Sequence, residues 1–175
     1  MSPETFSGHV RQYCEWAGSN THDMGAVHRI LRALMEGAAS LKASGEPEAE
    51  RAAPGLPQEV PWSETKRFAD FPFQCYPVVF WPEVVHPEGP FTENIHEDFV
   101  HIYAELRHGL QALEAGDLKR AAGYWRDSYF FHWGHHASSA IWAIEWHVQR
   151  TPGATLAPES CGAAASADDG TVALG

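Results

Sequence analysis

Between residues 98 and 136 the chain places carboxylates and histidines at helical spacing: Asp98, His101, Glu105 and His108, then His132, His135 and His136. Histidines at i and i+4 present two imidazoles on one helix face. Joined by a carboxylate from a neighbouring helix, such a pair can hold a divalent transition metal such as Zn, Fe, Mn or Cu. His132, His136 and Asp98 are the candidate ligands, with His101 or His135 as an extra one. The same groups can serve acid–base chemistry, with Asp98 orienting an imidazole that titrates near neutral pH. A third reading is a buried hydrogen-bond network in which Asp98, Tyr103, Tyr129 and the histidines satisfy one another and fix the helix packing, the commonest use of such a cluster.

The elements that must position these residues follow from periodicity. A helix from Thr92, read as its cap, carries the stripe Ile95, Phe99, Ile102, Leu106, Leu110 and Leu113. Ala115-Gly116-Asp117 supplies a stop and a new cap in three residues, which predicts a tight helical hairpin. A long helix follows from Leu118 toward Gln149, with Gly134 as the place for a bend. Its inward face holds Leu118, Trp125, Tyr129, His132, His136, Ala140 and Ala143, with His135 on the flank and Phe130 and Phe131 pointing elsewhere. On the preceding helix Asp98 and Glu105 fall on one flank of the stripe and Tyr103 on the other, while His101 and His108 turn toward solvent. Antiparallel return about Gly116 brings Asp98 level with residue 134, and His101 level with Phe131.

Two earlier helices complete the core. Ser2-Pro3-Glu4 reads as a capped start for Phe6, Val10, Tyr13 and Ala17, ending at Gly18. A second helix opens near Thr21 and Asp23 and carries Met24, Val27, Leu31, Leu34, Met35, Ala38 and Leu41, with His28 two turns in. Residues 42–61 read as an exposed loop. Residues 62–91 are rich in proline and aromatics, which forbids a long helix or a central strand while requiring burial, so short helical turns forming a lid are expected. These pieces make one all-α domain over residues 1–152, four-helix-bundle-like, with 153–175 as a disordered tail.

Composition narrows the function classes. The chain has 175 residues, 12 Lys plus Arg against 23 Asp plus Glu, and net charge −11, the wrong sign for neutralising phosphates, so nucleic acid is not an expected partner. No apolar run reaches the length of a membrane span and the first ten residues lack a signal-peptide pattern, which predicts a cytoplasmic protein with no membrane partner. The acidic balance, with Glu46, Glu48, Glu50, Glu59 and Glu64 as one strip, fits an interaction or regulatory protein, of immunity or antitoxin type, that masks a basic partner. Cys14, Cys75 and Cys161 form no Cys-x-x-Cys pair and read as reduced thiols. Phosphate-binding glycine loops and nucleophile elbows are absent from the sequence.

Taken together, Asp98-Phe99, Ile102-Tyr103, Leu106, Gly109-Leu110, Ala115-Gly116-Asp117, Trp125-Arg126, His132-Trp133-Gly134 and His136 resemble a bacterial family of uncharacterised helical proteins, the domain of unknown function 5063 family. Phe80 with Pro82 is similar to its Phe-x-Pro segment. Two positions differ: an acid is usual where this chain has His101, and a basic residue where it has His135. The resemblance implies an all-helical fold and singles out His132, His136, Asp98, Tyr103 and Trp125, and it implies no activity.

Overall fold

The computed structural model describes residues 1–42, 67–78 and 91–156. Five α-helices, one π-helical turn and a two-stranded hairpin make up these residues. They are α1 (Pro3–Gly18), α2 (Met24–Ser40), β1 (Cys75–Val78), β2 (Phe91–Asn94), α3 (Ile95–Glu114), α4 (Leu118–Ser128), the π turn (Tyr129–Trp133) and α5 (Gly134–Arg150). The all-helical expectation holds for the body of the fold. None of the described helices is long and apolar enough to cross a membrane. The acidic strip from Glu46 to Glu64, Phe80 with Pro82, Cys161 and the tail beyond residue 156 lie outside the described residues.

Helix starts are set by side-chain caps. Ser2 accepts from the Thr5 amide, Asp23 from Ala26 and Asp117 from Arg120, each satisfying a donor with no partner inside its helix. The cap of α3 is Asn94, which accepts from the His96 amide at 2.9 Å, rather than Thr92. Thr92 lies instead in β2, opposite Pro77. The pairing of β1 with β2 corrects the expectation of helical turns in this part of the lid: Cys75 pairs with Asn94 and Tyr76 with Glu93. Pro77 is tolerated because both strands of a two-stranded sheet are edges, so its missing N–H need not break a ladder bond. The Ile95 amide donates to the Gln74 carbonyl at 2.9 Å, so the strand pair runs directly into α3.

The turn between α3 and α4 is a Schellman motif. The Asp117 amide reaches back to Ala112 and the Gly116 amide to Leu113, with Gly116 at φ +86°, a conformation that favours glycine. Close approach of the two helices is fixed at Gly109, where an added Cβ would come within 2.0 Å of Trp125 Nε1. That indole donates to the Leu106 carbonyl at 3.0 Å.

The long last helix expected from the sequence is interrupted, and the break precedes Gly134. Over Tyr129–Trp133 the backbone bonds shift from i−4 to i−5, the Gly134 amide donating to the Tyr129 carbonyl. Gly134 has no room for a side chain there, since a Cβ would meet the Tyr129 carbonyl oxygen at 2.3 Å. Trp133, fully buried, anchors the turn by donating from its indole to the Trp125 carbonyl at 3.1 Å.

One core joins all these helices, built on Phe6, Tyr13, Leu31, Leu34, Phe99, Ile102, Leu106, Trp125, Trp133 and Ile144. Phe68 and Phe71, from the segment before β1, pack edge-on to Phe99, and Phe68 stacks on Trp16 with centroids 5.6 Å apart. The aromatics here are buried as their size requires. After Thr151, Leu156 returns to α2, its carbonyl accepting from Arg29 at 3.1 Å.

Candidate metal centre

Asp98 and Glu105 are seven residues apart on α3, two turns along one face, and both are buried. Each carboxylate is shared between an imidazole and a phenol. Asp98 Oδ1 lies 2.8 Å from His136 Nδ1, and its Oδ2 accepts from the Tyr76 hydroxyl at 2.5 Å. Glu105 Oε1 lies 2.6 Å from His132 Nδ1, and its Oε2 accepts from the Tyr124 hydroxyl. Two parallel relays, Tyr76–Asp98–His136 and Tyr124–Glu105–His132, thus fix two imidazoles by their Nδ1–H groups and leave the lone pair of each Nε2 able to coordinate a cation.

His101 completes the group. Its ring stacks on His136, with centroids 4.5 Å apart and planes 2° from parallel, and meets His132 edge-on at 5.2 Å. One ring nitrogen from each of His101, His132 and His136 lies within 4.8 Å of the others. A tetrahedral centre with metal–nitrogen bonds of about 2.0–2.1 Å needs its nitrogens about 3.3 Å apart, so modest ring rotations would close the set. All three rings are half-buried, which leaves a path from solvent.

Burial favours the neutral ring at His136, His101 and His135. Burial lowers His136 to about 4, helped by the neighbouring His132 ring. Burial followed by the His136 and His132 rings lowers His101 and His135 as well. Burial pushes Asp98 up to about 7 against the pull of the Tyr76 hydroxyl. For Glu105 burial acts upward, but hydrogen bonds from His132 and Tyr124 outweigh it and hold the carboxyl below the usual range. Unprotonated rings suit coordination, because a cation need not displace a proton from them near neutral pH.

The structure therefore brings together His132, His136, Asp98 and His101, with Asp98 behind His136. His101 does not turn away to solvent as the helical wheel suggested; the height argument placed it better. His135 is exposed, its ring centroid 4.0 Å from His136 and 6.0 Å from His132, and it adds no atom to the group of three. Tyr103 is half-buried against the core, outside the two relays. Trp125 is a core side chain, and Tyr129 packs on Trp133 and against Gly134. His28 is also elsewhere, 2.9 Å from Glu145 on α5, and His22 sits 2.6 Å from Asp70.

Glu105, Tyr76 and Tyr124 belong to the cluster in addition to the candidates that spacing picks out. Tyr124 was within reach of the hairpin arithmetic, which sets it level with His108, and the two rings are 4.4 Å apart. The pairing of Glu105 with His132 lies outside that arithmetic, since the register about Gly116 puts Glu105 nearer Asp127 and the π turn shifts the residues after Ser128.

No curated protein and no solved structure matches the chain. Residues 71–149, which include β1, β2, both relays and all three imidazoles, match the model of a family described as Domain of unknown function (DUF5063).

Proposed function

We propose that this protein binds a divalent transition metal, Zn, Fe, Mn or Cu, through His101, His132 and His136. The observation that carries the reading is the pair of carboxylates behind the rings. Asp98 and Glu105 engage the Nδ1 atoms of two of the three clustered imidazoles and are themselves engaged by tyrosines, the arrangement that fixes tautomer and raises donor strength in imidazole metal sites. With both oxygens of Asp98 so occupied, its part is to orient His136 and not to coordinate. An all-nitrogen donor set suits Zn or Cu better than a hard cation such as Mg or Ca.

Elemental analysis of protein purified without an affinity tag tests this. About one metal per chain is expected, absent from His132→Ala, with melting lowered by chelator in the wild type only. A metal-free wild type whose melting ignores both chelator and added zinc sinks the proposal.

A second reading is an acidic interaction or regulatory protein, of immunity or antitoxin type, that masks a basic protein. Net charge −11 supports it, as do Phe130 and Phe131, 58% and 79% exposed on the π turn, large apolar side chains of the kind a partner covers. The two readings part on the same measurement. Only the first makes metal content depend on His132, and only the second stands if the wild type carries none.

A further inference from the structure

The next inference rests on the metal reading and concerns the coordination position that the protein leaves over. His101, His132 and His136 supply three donors. Neither carboxylate is free to supply a fourth, because each oxygen of Asp98 and Glu105 already meets an imidazole or a phenol. His135 stands beside the set but outside it. A cation held by three protein nitrogens keeps a place for an outside ligand, and the half-buried rings leave that place open to solvent.

A bound cation itself attracts anions, and carboxylates around it offset part of that attraction. Glu97, exposed at the start of α3, lies one turn before His101 on the same helix, and Glu93 on β2 pairs with Tyr76, the phenol that donates to Asp98. Arg126, the basic side chain nearest the π turn by sequence, is held by Asp127 at 3.2 Å and lies over the Phe130 ring. An anion approaching the open position therefore meets two carboxylates that a neutral molecule does not feel.

We propose that the remaining coordination position is exchangeable and takes an outside nitrogen or oxygen donor, such as the imidazole or carbonyl of a small molecule, with Glu97 weakening an anionic ligand relative to a neutral one. The probe is the full chain loaded with Co²⁺, whose visible absorption reports its ligands, titrated separately with imidazole and azide at about pH 8, where free imidazole is neutral. Each ligand is expected to change the spectrum. Glu97→Gln is expected to tighten azide about three- to tenfold and leave imidazole unchanged. Bound Co²⁺ whose spectrum answers to neither ligand means a closed position, which overturns this inference and leaves the metal reading intact. Azide binding indifferent to Glu97→Gln overturns the role given to Glu97. Failure to take up Co²⁺ at all removes the metal reading and this inference with it.

Discussion

At the scale of single residues, the weight falls on Asp98. It is 1% exposed, and a carboxylate so deep persists only where its oxygens are satisfied. Here His136 and Tyr76 satisfy them. Removing the carboxylate charge while keeping the shape should leave His136 in place but weaken it as a donor. Asp98→Asn is therefore expected to lower metal affinity about 10- to 100-fold, read by competition with a chromogenic chelator, with helical circular dichroism unchanged. Wild-type affinity in that variant would show that the carboxylate does not orient a ligand. Tyr124 and Glu105 stand in the same relation to His132, so Glu105→Gln should act in the same direction.

At the scale of elements, the π turn and its glycine matter most. Gly134 accepts the close Tyr129 carbonyl that an i−5 bond requires, and any larger residue must push the turn apart. Gly134→Ala is expected to shift His132 and His136 relative to α3, abolishing metal uptake while lowering the melting temperature by only a few degrees. Retained uptake would mean that the turn does not set the ligand register. This element also explains what the sequence could and could not reveal. Caps at Ser2, Asp23 and Asp117, the Gly116 turn and the convergence of Asp98 with the His132 to His136 stretch were legible, because each depends on local chemistry or simple helical geometry. A π insertion has no such local signature, since YFFHWG reads equally well as continuous helix, and so the Glu105 to His132 bond was invisible. The strand pair was hidden for a related reason. Pro77 argues against a central strand, and only the partner strand, far along the chain, shows that both are edges.

At the scale of the whole molecule, buried phenols and a thiol couple folding to alkaline pH. Burial, with smaller effects from Cys14 and Asp98, raises Tyr13 well above the usual phenol range, and burial pushes the Cys14 thiol up to about 12. Both groups keep their protons in the folded chain after the unfolded chain has lost them. Their contribution is complete below the unfolded values, about 8.5 for the thiol and about 10 for the phenol, and declines as pH rises beyond them. Melting temperature should thus fall steeply above about pH 9. Tyr13→Phe should flatten that fall while costing about 1 kcal/mol at neutral pH through the lost bond to the Phe99 carbonyl. A pH profile identical to the wild type would contradict this assignment.

The Schellman turn at Gly116 carries one more implication. All three imidazoles, both carboxylates and one of the two phenols come from a single stretch, residues 98 to 136, folded about that turn. Contacts between segments so near in sequence cost little loop entropy and form early. The imidazole cluster is therefore expected to assemble on the nascent chain's own helical hairpin, and on the proposed metal reading a cation captured there would act as a folding nucleus against which the two amino-terminal helices later dock.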